Sequence, residues 1–191
     1  MKEIIFVTHN PGKIAHAKKV LKDTNVKIFE YEVEEPRSDD ITYISKYKVL
    51  EAYKLVKKPC ISLDCGFWID ALNGFPRAFV NFVLDTIGIS GILKLMQGEE
   101  NRACRFTECL SYYDGKELYQ FMGKHEGNLA KEILGQDRKE KWSDLWYIYQ
   151  PYGYDKTLAQ MTEEERNHRK KERSVDSMEE FAKWYNEEKE K

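Results

Sequence analysis

The sequence predicts a mixed α/β protein, and three observations carry that expectation. Ile4-Ile5-Phe6-Val7 is an unbroken apolar run, the mark of a strand covered on both faces. Turn chemistry follows in Thr8-His9-Asn10-Pro11-Gly12-Lys13. Ile14, Ala17, Val20 and Leu21 then stand at helical spacing, and Val26-Lys27-Ile28-Phe29 forms a second strand, so the chain opens strand–helix–strand. From Ala103 to Tyr113 the period changes to two, with Cys104, Phe106, Glu108, Leu110 and Tyr112 on one face. Asp114-Gly115 is a hairpin signal and Leu118 to Met122 the returning strand.

The remaining elements follow in order. Asp39 or Asp40 is placed to cap a helix whose apolar face is Ile41, Ile44, Val49, Ala52, Leu55 and Val56, and Pro59 ends it. Cys60-Ile61-Ser62-Leu63 reads as a third strand ending at Asp64-Cys65-Gly66. The apolar stretch Phe67 to Leu72 closes on the turn dipeptide Asn73-Gly74. Ile89, Ile92, Leu93 and Met96 mark a helix that stops near Gly98. Leu129 to Leu134 is expected as a short helix, Gln136 to Lys141 as a charged loop, and Leu145 to Tyr149 as a strand. Val175, Met178, Phe181, Ala182 and Tyr185 give a final helix. No internal repeat, low-complexity segment or interdomain linker is visible, and 191 residues suit a single domain spanning 1–191.

Composition narrows the function classes. Lys and Arg number 31 against 33 Asp and Glu, a balance that argues against a protein binding nucleic acid polymers by charge alone. No apolar run approaches the roughly 18 residues of a spanning helix, and the N-terminal run is too short for a signal segment, so no membrane partner and a cytoplasmic location are expected. Cys60 and Cys65 repeat the spacing of Cys104 and Cys109, which invites a zinc reading. Both pairs fall on strands, where residues five apart face opposite ways, so free thiols are the expectation.

Four segments have the residue types that chemistry needs. Thr8, His9, Asn10, Gly12 and Lys13 lie between a buried strand and a helix start, where free N–H groups, the positive helix end and a lysine suit a phosphate. Asp64, ending a buried strand, suits Mg²⁺ or a water, and Glu34 and Glu35 follow the second strand at the same edge. Few carboxylates beside a phosphate loop is what Mg²⁺ prefers. Arg166-Asn167-His168-Arg169-Lys170-Lys171 is either a solvated helix face or a polyphosphate clamp. Trp142-Ser143-Asp144-Leu145-Trp146 is either core packing or a site for a base, stacked and read at its edge.

Taken in order, these pieces resemble the inosine triphosphate pyrophosphatase family, over nearly the whole chain. Phe6 to Lys13 is similar to the family's T-x-N-x-x-K phosphate loop. Leu63-Asp64-Cys65-Gly66-Phe67, followed by Asp70-Ala71-Leu72-Asn73-Gly74-Phe75-Pro76, is similar to its E-D-S-G-L…A-L-x-G-x-P-G signature. Gly153 to Thr162 resembles the segment leading to the family's C-terminal substrate motif. The resemblance implies an elongated mixed sheet flanked by helices, two lobes around a central cleft, and a homodimer. It implies Mg²⁺-dependent hydrolysis of non-standard purine nucleoside triphosphates to monophosphate and pyrophosphate. It assigns catalysis to Asp64 and Lys13, metal to Glu35 and Asp64, and substrate to Thr8, His9, Asn10, Gly12, Lys13, Cys65, Trp142, Asp144, Arg166, His168 and Arg169.

The departures point to a divergent member. One of the family's paired acids is Leu63, and its serine or threonine is Cys65. Its P-G-x-Y-S is Pro76-Arg77-Ala78-Phe79-Val80. The base motif F-G-[YW]-D is broken, with Trp142-Ser143-Asp144 its nearest match, while an ungapped count puts Trp146 at the aspartate. The motif E-K-N-x-x-S-H-R is compressed to Glu165-Arg166-Asn167-His168-Arg169; without a gap its last two positions hold Lys171 and Glu172. Phosphate and metal groups are kept while base readers are altered. This pattern predicts changed or relaxed base selection, the alternative being a catalytically weak nucleotide-binding or regulatory paralogue.

Overall fold

The computed structural model describes residues 3–137, 141–172 and 176–188. Seven strands form one mixed sheet: β1 (Ile4–Val7), β2 (Val26–Phe29), β3 (Cys60–Ile69), β4 (Pro76–Arg77), β5 (Ala103–Tyr113), β6 (Leu118–Leu129) and β7 (Tyr149–Pro151). The order is β2-β1-β3-β5-β6-β7, with β4 against β3. β1 is parallel to both neighbours, pairing Ile5 with Lys27 and with Cys60. β4 and β7 are antiparallel to β3 and β6. The helices are α1 (Pro11–Val20), α2 (Ile41–Val56), α3 (Val80–Thr86), α4 (Gly88–Leu95), α5 (Glu163–Glu172) and α6 (Ser177–Glu188). The expected mixed α/β class is what the structure has, and no helix among the described residues is long and apolar enough to cross a membrane.

The chain divides into two compact units, the first from the described residues of Met1–Cys65, Glu108–Gly123 and Val175–Lys191, the second from those of Gly66–Thr107 and Lys124–Ser174. In the first, the pleat sends alternate β3 side chains to opposite sides. Ile61, Leu63 and Cys65 join a core of Ile4, Phe6, Ala17, Leu21, Met178 and Phe181, beneath α1 and α6. Cys60 joins Val49 and Ala52 of α2 on the other side, with Ile5 and Val7. In the second unit, Phe67, Ile69, Ile92, Met96, Tyr149 and Met161 anchor the core, and Phe106 lies edge-on to Tyr149.

Capping chemistry fixes the helix starts. Asp40 Oδ1 accepts from the N–H of Thr42 at 2.8 Å and begins α2. Thr162 and Glu165 satisfy each other's N–H groups and open α5. Asp176 and Glu179 do the same for α6.

Four expectations differ from the structure. Leu129 to Leu134 is not a helix: β6 continues to Leu129, and residues 130–134 carry no helical turn. The strand expected to end at Asp64-Cys65-Gly66 runs on unbroken as β3 to Ile69, so Asp64 lies inside the strand, and the stretch Phe67 to Leu72 divides into the end of β3 and a 3₁₀ turn, Asp70–Leu72. The strand expected over Leu145 to Tyr149 begins as a 3₁₀ turn, Asp144–Tyr147, and only Tyr149–Pro151 is extended. Residues 138–140 of the charged loop and Val175 of the final helix lie outside the described residues.

The four cysteines are free thiols, and the described residues contain no cluster of three or more metal-ligating side chains. Cys60 and Cys65 face opposite cores, as their odd spacing requires.

Candidate functional site

In the first unit, the end of β1 turns directly into α1. Thr8 Oγ1 accepts the N–H of Asn10 at 3.2 Å, and Asn10 Oδ1 accepts that of Lys13 at 3.0 Å, which makes Asn10 the N-cap. Pro11 occupies the first helical position, where a missing N–H costs nothing. Gly12 follows with its N–H in the first turn, at the positive end of a ten-residue helix. The Lys13 ammonium reaches across to donate to the carbonyl of Leu63 within β3. His9 is exposed, 3.9 Å from the Glu32 carboxylate.

Asp64 follows Leu63 and faces α2. Its side chain is only 7% exposed, yet it is charged, so it needs a cation. Lys48 of α2 supplies one: its ammonium donates to Asp64 Oδ1 at 2.9 Å and to Glu35 Oε1 at 2.7 Å. Burial opposes the charge on Lys48, but the two carboxylates outweigh it and push its pKa above the ordinary lysine value. The other oxygen, Asp64 Oδ2, is buried and has no hydrogen-bond partner. That orphaned oxygen, beside Glu35, fits a hard divalent cation, which takes few carboxylates and leaves its remaining positions to phosphates and water. Cys65, on the opposite side of β3, stays a neutral thiol, because burial pushes its pKa up to about 12.

The structure brings together Thr8, Asn10, Gly12, Lys13, Glu35 and Asp64, and adds Lys48, which the sequence reading missed. A signal for it exists: Ile41, Ile44, Ser45, Val49 and Ala52 form the buried stripe of α2, and Lys48 stands on that stripe at the same spacing. A lysine on a buried helix face needs an acid opposite.

Gly66, in the family-like signature, belongs to the second unit and has a packing reason. A Cβ there would stand 2.6 Å from the Trp68 ring and 2.7 Å from the Arg77 carbonyl oxygen.

The second unit also holds the remaining expected residues. Trp142 is exposed at 45%, and Asp144 starts a 3₁₀ turn capped by Ser143 Oγ. Lys141 binds Asp144 at 3.1 Å and Asp137 at 2.9 Å. Arg166 is buried, with its guanidinium 5.4 Å over the Trp146 ring and a donor on the Met161 carbonyl. His168 is exposed and Arg169 half-buried. His168 lines an open depression of about 720 Å³ with Tyr154, Glu163, Glu164, Glu165 and Asn167. The side chains of Lys170, Lys171 and Glu172 lie outside the described residues, so the two ways of matching the basic motif are not compared at those positions.

Fold and site together define a mixed α/β protein in which a lysine-bearing helix start adjoins a carboxylate pair joined by a second lysine. The chain belongs to the Ham1 family, whose model matches residues 4–181. It is 35% identical over 189 residues to the dITP/XTP pyrophosphatase of Thermococcus kodakarensis, covering 96% of this chain and 97% of that one. It is 34% identical over 191 residues to the dITP/XTP pyrophosphatase of Methanopyrus kandleri, covering 96% of each. Among solved structures, a HAM1 protein from Coxiella burnetii superposes with a TM-score of 0.82 at 21% identity, over 98% of this chain and all of that one. The Staphylococcus aureus Ham1 protein gives 0.79 at 23%, with the same coverage. At those identities the likeness establishes the fold.

Proposed function

We propose that the protein is a nucleoside triphosphate pyrophosphatase that hydrolyses purine triphosphates of the inosine and xanthosine type to monophosphate and pyrophosphate, with Mg²⁺. The single observation that carries this is Lys48 holding the Glu35 and Asp64 carboxylates together while Asp64 Oδ2 is left unpartnered. The printed names of the archaeal relatives support the same substrate class.

Each residue then has a task. Lys13, at the positive end of α1, attracts the phosphate chain, and Thr8 and Asn10 hold the loop in shape by occupying its own N–H groups. Lys48 holds both acids side by side. Asp64 is assigned to the attacking water, which it orients and whose proton it accepts. Attack at the α-phosphorus forms one P–O bond and breaks the bond to the departing pyrophosphate. Mg²⁺, held by Asp64 and Glu35, would offset phosphate charge as the leaving group departs. Trp142, Asp144, Arg166, His168 and Arg169 are assigned to the base and the phosphate tail. His9 borders the phosphate loop, and Cys65 lies within β3. Stacking on an exposed tryptophan tolerates any base, so base preference is expected to be weaker than edge-reading motifs give. The reading takes the whole chain as one catalytic domain, acting as a cytoplasmic homodimer.

One feature favours an enzyme over a nucleotide-binding relic. Leu63 replaces an acid, but its side chain lies in the core beneath α1 and α6, on the face of β3 opposite Asp64. The replacement takes no ligand from the Asp64 face. A panel of standard and non-standard ribo- and deoxyribonucleoside triphosphates with Mg²⁺, followed by released pyrophosphate, tests the reading. Cleavage of dITP and XTP with only modest discrimination against other purines is expected. Nucleotide binding without cleavage of any triphosphate would establish the relic instead.

A further inference from the structure

Behind the Lys48–Asp64 contact lies a pair of buried hydroxyls. Ser45 stands on α2 one turn before Lys48, and Ser62 on β3 two residues before Asp64, on the same side of the strand. They are 0% and 1% exposed. The Ser62 hydroxyl donates to the backbone carbonyl of Ser45 at 2.7 Å. The Ser45 hydroxyl donates to the carbonyl of Cys109 on β5 at 2.9 Å, and the two hydroxyl oxygens are 3.2 Å apart. A second tie lies nearer the start of the helix, where Gln120 on β6 donates to the carbonyl of Thr42 at 2.9 Å and to Ser111 Oγ at 3.0 Å.

We propose that Ser45 and Ser62 are positioning residues, a polar lock that sets where Lys48 stands against Asp64. The inference rests on reading Asp64 and Lys48 as part of the reacting site. The neighbouring core positions of α2, Ile44, Val49 and Ala52, are apolar, and an apolar pair at 45 and 62 would bury at less cost in desolvation. Apolar contacts between a helix and a sheet are non-directional, so the helix can turn or slide slightly at little cost. Hydrogen bonds of 2.7 and 2.9 Å to two adjacent strands remove that freedom. The lock is placed where the freedom matters, one helical turn from the ammonium and one pleat from the carboxylate. A site held only by its own salt bridge would drift with α2; this one has a supporting layer fixed to the sheet.

The test uses the full chain as wild type and as Ser45→Ala and Ser62→Ala, changes that delete a hydroxyl and almost no volume. Thr24→Ala serves as a control, since it loses a buried hydroxyl bonded to Leu21 away from α2. Two readouts are compared. In steady-state pyrophosphate release from dITP, both serine variants are expected to lose about tenfold in kcat with KM within about twofold, the signature of misplaced rather than missing groups. In acylation by an amine-specific reagent without nucleotide, resolved by mass spectrometry, Lys48 is expected to label several-fold faster in both variants, while exposed Lys54 labels unchanged. The control is expected to move neither readout. Serine variants that lose thermal stability but keep wild-type kcat and Lys48 labelling would overturn the proposal and leave the pair merely structural. Wild-type protein that cleaves no triphosphate would overturn the pyrophosphatase reading instead, and the Lys48 labelling would then decide the lock by itself.

Discussion

Lys48→Met removes the ammonium while keeping most of the stem, and its effect can be worked from the site. Two carboxylates lose their shared cation. Glu35 has a side chain 57% exposed and turns to water at little cost. Asp64 cannot, because it is buried and one of its oxygens is already unpartnered. Breaking a buried pair from one side costs about 3–5 kcal/mol; with one member solvated, about 2–3 kcal/mol is expected. At about 2–4 °C per kcal/mol for a chain of this size, the melting midpoint falls by about 4–12 °C. Mg²⁺ should then restore more stability to the variant than it adds to wild type, where the ammonium already neutralises the same two carboxylates. At a hundred times its dissociation constant a bound ion adds about 2.7 kcal/mol. Calorimetry of both proteins with and without MgCl₂ measures this. A midpoint within about 2 °C of wild type, or an equal Mg²⁺ increment in both proteins, would refute the reasoning.

Three further outcomes are expected. Asp64→Asn should lower kcat by about 10²–10³-fold, as removal of one preorganised polar group does, with the fold retained by circular dichroism; turnover within threefold of wild type at saturating Mg²⁺ would count decisively against Asp64. Lys13→Ala should weaken triphosphate binding by about 10–100-fold and monophosphate binding much less, measured by titration calorimetry; equal losses would remove Lys13 from the phosphate site. Stability should fall as pH rises above about 9: burial pushes the thiols of Cys60 and Cys65 up to about 12 and that of Cys109 to about 11, so unfolded thiols ionise first. The raised pKa of Lys48 acts in the same direction, its contribution being whole below the ordinary lysine value and lost as pH climbs through the folded one. Melting midpoints that stay flat between about pH 8 and 10.5 would contradict the thiol reading.

The first unit was largely legible because its signals are local. Four apolar residues, an Asn cap and Pro at the first helical position define β1, the loop and α1 within about twenty residues of sequence. Asp64 and Glu35 were legible as acids beside the phosphate loop, but Asp64 lies inside β3 and not at its end, because the apolar stretch after Gly66 continues the same strand. Lys48 was not, because its partners lie 13 and 16 residues away and nothing beside it in the sequence marks it out; only its place on the buried stripe of α2 does. β6 was cut short for another reason. Its glycines interrupt the alternation, and one is required by a neighbour that sequence does not show: a Cβ at Gly127 would stand 2.3 Å from the Gln150 carbonyl oxygen on β7. Leu145 to Tyr149 reads as strand because it is aromatic, yet Ser143 caps Asp144–Tyr147 as a turn, a hydrogen-bonding choice that overrides propensity.

Arg166 over Trp146 changes how charge should be counted along α5. The segment from Arg166 to Lys171 reads as a solvated helix face or a polyphosphate clamp, but its first member lies over an indole and donates to the Met161 carbonyl. A mutational scan that finds harm at both Trp146 and Arg166 would be sampling one contact twice, and the two losses should fall short of adding. Harm at Trp146 therefore cannot be taken as evidence that it stacks on a base until the Arg166 variant has been measured beside it.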